Sequence, residues 1–142
     1  MKKSRARVLF ILQFCLGLLL LIGINTFLSG CPIKEDGTWM VCHWAHRAIF
    51  GCSVILIILT LAGLIIKNPE IHIGLQAGIL LVSILTVLFP GTLINTCMMA
   101  EMSCNSVMKP AVTAIGILLA ILSVICIILL MKQYLKRKNE TV

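Results

Sequence analysis

Four apolar runs, residues 8–28, 45–66, 71–89 and 111–131, take up most of this chain. Each has about the 20 residues that an α-helix needs to cross a hydrocarbon core roughly 30 Å thick. A chain inside lipid must pair its own backbone N–H and C=O groups, and a helix does this within one segment. The reading is therefore an all-α polytopic membrane protein, an up-down four-transmembrane-helix bundle with two short outer caps. Composition agrees. Of 142 residues, 60% are hydrophobic and 12% charged, against about 45–50% and 25% in soluble domains. A soluble protein of this size could not hide that much apolar surface. The whole chain, 1–142, reads as a single membrane domain with outer loops at 29–44 and 90–110.

The net charge of +7 could suggest nucleic acid, but its placement excludes that reading. Lys2, Lys3, Arg5 and Arg7 precede the first run, Lys67 lies between the second and third, and Lys132, Lys136, Arg137 and Lys138 follow the fourth. The opposite side of a four-span chain holds only Lys34, Arg47 and Lys109. By the positive-inside rule both termini are cytoplasmic and the loops at 29–44 and 90–110 lie outside a cytoplasmic (inner) membrane. An alternative concerns the start of the chain. Lys2-Lys3, an apolar run and Leu28-Ser29-Gly30-Cys31 also look like a lipoprotein signal, with Cys31 as the lipidated residue. The run is longer than the usual 7–15 residues of a signal peptide, so the uncleaved reading is preferred.

Local signals divide the runs. Asp36-Gly37 is a turn pair, Thr38 can cap the second helix, and Trp39 and Trp44 suit a membrane–water boundary. Pro90-Gly91 ends the third span, and Pro110 suits the first turn of the fourth. The tail from Lys132 onward is polar and expected to fray. Gln13, Asn25, Thr60, Gln76, Ser83, Thr86, Thr113 and Ser123 are the polar groups inside the spans. They can bond between helices or back to their own backbone. Glycines 17, 23, 63, 74, 78 and 116 permit close helix approach.

The chemistry gathers in two polar islands, 31–47 and 97–108. Of seven cysteines, Cys15, Cys52 and Cys126 lie inside spans and read as small buried apolar residues. Cys31, Cys42, Cys97 and Cys104 lie in the islands, on the oxidising side, and are disulfide candidates. Local pairs, Cys31–Cys42 and Cys97–Cys104, are the first choice among three connectivities. The soft donors His43, His46, Met98, Met99, Met102 and Met108 form a second candidate set, suited to copper or to haem iron. A third reading is a thiol-disulfide/quinone oxidoreductase. It needs a low-pKa thiolate beside a second pair, and the islands contain no Cys-x-x-Cys. No serine elbow, phosphate loop or intramembrane carboxylate pair is present, which leaves hydrolysis and carboxylate-based ion transport without residues to perform them.

Met40-Val41-Cys42-His43-Trp44, the turn Leu88-Phe89-Pro90-Gly91-Thr92-Leu93-Ile94, and Cys97-Met98 followed by Cys104 and Pro110 resemble a family of small bacterial and archaeal membrane proteins, domain of unknown function 4418. The resemblance covers nearly the whole chain. It implies a four-span bundle and names no catalytic residue. Members look similar to proteins found beside efflux-type ABC transporter components. The expectation is an accessory or binding subunit rather than an enzyme, with the lipid bilayer, a larger transporter or a second copy of the chain as partners.

Overall fold

The computed structural model describes residues 2–26, 36–39, 41–66, 68–94 and 104–140, with the side chains of 2–5, 42, 104 and 105 outside that description. Four helices carry the fold: α1 (Lys2–Thr26), α2 (Val41–Ile65), α3 (Pro69–Leu88) and α4 (Lys109–Glu140). All four are long and apolar enough to cross a membrane. Each packs on its neighbours in chain order, and α1 closes the ring against α4. Arg7 and Arg137 share a cavity wall, so the two ends of the chain emerge at the same end of the bundle. The all-α four-helix membrane bundle read from the sequence is what the chain forms.

The buried positions explain the packing. On α1 they are Ala6, Phe10, Gln13, Gly17, Leu20 and Ile24, with Gly23 buried beside the last; on α4, Val112, Gly116, Leu119, Ser123, Cys126 and Leu130. Both sets step by alternating threes and fours. That is the seam spacing of left-handed, knobs-into-holes helix packing. On α3 the buried face is Gln76, Ile79, Ser83 and Thr86, and the outward face carries Leu81, Ile84 and Leu85. The polar stripe thus faces inward and the hydrocarbon outward, the arrangement a lipid solvent demands.

Two close approaches depend on glycine. A Cβ on Gly63 would meet the Phe10 ring at 2.2 Å, and one on Gly116 would meet Val87 at 2.6 Å. A bulkier residue at either point would force α2 from α1, or α4 from α3. Gly74 and Gly51 have nothing within 4 Å of a built Cβ, so Gly74 does not serve the packing role expected of it.

Other local expectations are corrected. The tail does not fray at Lys132: α4 continues to Glu140. An i,i+4 ion pair, Lys136 Nζ to Glu140 Oε1 at 3.8 Å, and basic Arg137 and Lys138 in the last turn support it there, the cations opposing the negative helix end. Helix α2 begins at Val41, later than a Thr38 cap would place it. Pro110 does stand in the first turn of α4, which begins at Lys109, although a π-helical turn, Cys104–Met108, runs straight into that helix. The wider turn suits a proline, whose ring would clash with the carbonyl four residues back in a regular α-helix. Cys15 is exposed on α1, whereas Cys52 and Cys126 are buried as expected.

Candidate functional site

The sequence-predicted residues that the structure describes lie at the end of the bundle opposite the two chain termini. Cys31, Cys97, Met98, Met99 and Met102 lie outside the described residues, as do the side chains of Cys42 and Cys104. His43, His46 and Met108 are described, and they play three different parts. The ring of His43 stacks on Trp39, centroids 4.1 Å apart and 26° from parallel, and meets Trp44 edge-on at 6.0 Å. His46 reaches across to α1, its Nε2 lying 2.8 Å from the Ile24 carbonyl oxygen. A carbonyl can only accept, so Nε2 carries the proton. Ile24 belongs to the last turn of α1, where carbonyls lack partners within the helix. His46 therefore closes the end of α1, helped by Asn25 Nδ2 to Leu21 O at 2.8 Å and Thr26 Oγ1 to Ile22 O at 2.9 Å. A metal at His46 would have to use Nδ1. Met108 is 3% exposed and packs within the apolar core. Among the described residues no three His, Cys, Asp or Glu side chains converge as a metal cage would require.

The Pro-Gly turn fastens this end. After α3, Leu93 N–H donates to Leu88 O at 3.1 Å, Ile94 N–H to Phe89 O at 3.1 Å, and Gly91 N–H to Ile94 O at 3.0 Å. Gly91 sits at φ 103°, a conformation side-chain-bearing residues rarely adopt. The Lys109 side chain lies 3.0 Å from where a Gly91 Cβ would stand. The turn thus lies against Lys109 at the start of α4.

Deeper in the bundle lies a polar cluster spanning three helices. Gln13 Nε2 on α1 donates to Gln76 Oε1 on α3 at 3.1 Å, and Gln76 Nε2 donates back to Gln13 Oε1 at 2.9 Å. The second Gln13 N–H reaches Ser123 Oγ on α4 at 3.1 Å. All three side chains are fully buried. Other buried hydroxyls bond back along their own helices, among them Thr60 to Leu56 O at 2.8 Å, Ser83 to Ile79 O at 2.7 Å and Thr86 to Val82 O at 2.8 Å. Among the described residues no buried side-chain nitrogen or oxygen lacks a partner. Any sliding of α1 past α3 would leave two amides facing hydrocarbon, each costing several kcal/mol. The cluster therefore sets register. The sequence reading named these three residues as able to bond between helices, without pairing them.

The family model described as Domain of unknown function (DUF4418) matches residues 13–129. The chain belongs to this family. The match begins at Gln13 and takes in Gln76, Ser123, both islands and the Pro-Gly turn, so all the site features described above fall within the DUF4418 region. No curated protein and no solved structure matches the chain.

Two polar residues of this DUF4418 chain went unmarked in the sequence. Ser53 is buried on α2 and donates to Phe50 O at 2.7 Å. His72 opens α3, its Nε2–H donating to Ile66 O at 2.6 Å and its ring edge-on to Phe10 at 5.2 Å. The signal for His72 was available. Asn68, His72 and Gln76 step by four, which puts them on one helix face.

Proposed function

We propose that this DUF4418 protein is a non-catalytic accessory subunit of the cytoplasmic membrane, a rigid four-helix body that presents a disulfide-stapled outer cap to a larger membrane protein. An ABC-type transporter component is the partner class. Both termini face the cytoplasm, and the bridges are Cys31–Cys42 and Cys97–Cys104. The observation that carries the reading is that, among the described residues, every buried side-chain nitrogen and oxygen has a partner. A catalyst or carrier inside a membrane keeps a polar group available for its substrate. Here Gln13, Gln76 and Ser123 are used up by one another, which fits a scaffold. The same end of the bundle supports the rest of the reading: Trp39, Trp44 and Leu93 are more than half exposed there, and the sequence that follows Leu93 is rich in methionine, a residue suited to adaptable contact surfaces.

Photocrosslinking in native membranes tests this. A crosslinking residue at Thr92, exposed on the outer turn, is expected to capture a transporter component. One at Ile58, exposed on the lipid-facing side of α2, is expected to capture lipid. Capture of the same protein from both positions, or of none from Thr92, would contradict an outer-cap partner.

A further inference from the structure

At the end of the bundle that carries both termini, all four helical segments and the α2–α3 connection enclose a cavity of about 420 Å³. That volume falls in the range of small-ligand pockets. Its polar wall is Arg7 from α1, Asn68 and His72 from the start of α3, and Gln133 and Arg137 from α4. Among the described residues no carboxylate lines it. Two guanidiniums from opposite ends of the chain thus converge on one space at the membrane boundary. Both side chains are exposed at this rim, and an anion held between two guanidiniums is attracted by each. A guanidinium has five N–H donors in a planar fork matched to phosphate oxygens, so a contact made elsewhere does not exhaust it.

The start of α3 contributes independently. Asn68 is the cap residue of α3, yet its side chain makes no capping hydrogen bond, and proline occupies the first turn. Glu70 in the first turn offsets part of the positive helix end, and it is the uncapped start of the helix, Asn68 and Pro69, that lines the cavity. On the inner side, Phe10 is fully buried and packs against His72. Phe10 lies one turn before Gln13, between the cavity and the amide cluster. An adjoining groove shares Ala6, Gln133 and Arg137 with the cavity and adds Leu129, Lys132, Lys136 and Glu140, with Glu140 paired to Lys136, a partly apolar track on which a longer ligand can lie.

We propose that this cavity binds a phosphate-bearing anion, either the headgroup of an anionic membrane lipid or a soluble phosphate ester. Basic pockets between spanning helices on the positively charged side of a membrane protein are suited to such headgroups.

The test uses the full chain in a neutral detergent, read by native mass spectrometry and by thermal unfolding. The probes are phosphatidylglycerol, phosphatidylcholine, inorganic phosphate and glycerol 3-phosphate. The expected result is selective retention of a single phosphatidylglycerol over phosphatidylcholine, or stabilisation by the soluble phosphates alone; the first assigns the lipid source and the second the soluble one. In either case the Arg7→Gln/Arg137→Gln double variant binds at least about tenfold more weakly, the loss expected for bidentate charged contacts. Lys138→Gln, which removes a charge outside the cavity, leaves binding unchanged. An Arg7→Lys/Arg137→Lys variant keeps the charge, loses the fork and falls between the two, which keeps the question answerable should the glutamine variant fold poorly. Equal binding by wild type and the arginine variants would overturn the site. So would an equal loss in Lys138→Gln, or no binding of any probe.

Discussion

Gln13 and Gln76 face each other across the interior of the bundle and exchange two hydrogen bonds, 3.1 Å in one direction and 2.9 Å in the other. The pair joins the first helix to the third, which are not neighbours in the chain, and Ser123 extends it to the fourth. Gln76→Leu is expected to destabilise the bundle by about 1–3 kcal/mol, because it strands the Gln13 amide in an apolar interior. Gln13→Leu/Gln76→Leu is expected to lose less than the sum of the single changes, since neither amide is then left unpaired. Reversible unfolding in mixed detergent micelles, analysed as a double-mutant cycle, measures the coupling. Strictly additive losses would show that the pair does not act as a unit.

The Phe10–Gly63 contact makes a second prediction. A Cβ at residue 63 would overlap the Phe10 ring, and overpacking of this kind costs about 1–3 kcal/mol. Gly63→Ala should lower the unfolding midpoint, and Phe10→Leu in the same chain should restore part of it. Gly51→Ala, with open space around the new methyl, should leave the midpoint unchanged or raise it, because alanine suits a helix interior better than glycine by about 1 kcal/mol.

The helices were legible because lipid leaves a chain few options. Residues 71–89 are apolar enough to read as a span, and Pro90-Gly91 marks where it stops; α3 ends at Leu88. The Lys132–Glu140 segment was not legible, because its helix rests on charge pairing and on continuity with α4 rather than on an apolar face. The partners of Gln13 were not legible either. Hydropathy places a glutamine within a span, but which helix answers it depends on rotation and register, which arise only from packing all four together. His46 was read for its soft nitrogen and spacing from Cys42, while its observed bond is to a carbonyl on another helix, a contact that no spacing within α2 encodes. The cysteine and methionine islands were legible as chemistry, and most of their side chains lie outside the described residues.

The His46–Ile24 bond should hold the end of α1 in place. In His46→Ala the last turn of α1 is expected to open more readily, by about the 1 kcal/mol of one hydrogen bond. Hydrogen exchange at Gly23–Thr26 would then be on the order of fivefold faster, with exchange around Gln13 unaffected. Faster exchange along the whole of α1 would mean that His46 supports the bundle generally rather than this helix end.

The proposed staples can be counted. The chain has seven cysteines, and Cys15, Cys52 and Cys126 are free thiols inside spans. Alkylation of the denatured, non-reduced protein should therefore modify those three alone, and reduction should expose the other four. Peptide mapping should recover Cys31 linked to Cys42 and Cys97 linked to Cys104. Linkage between the two islands would replace the local staples with bonds that join the caps to each other, and four free island thiols would remove the bridges altogether.

The accessory role is tested most directly by native mass spectrometry of the chain extracted from its own membrane in mild detergent, which reads protein partners and bound metal or haem together. The account predicts a defined complex with a membrane component of an ABC-type transporter and no added mass of copper, iron or haem on the chain. A chain released alone and carrying stoichiometric metal or haem would contradict it.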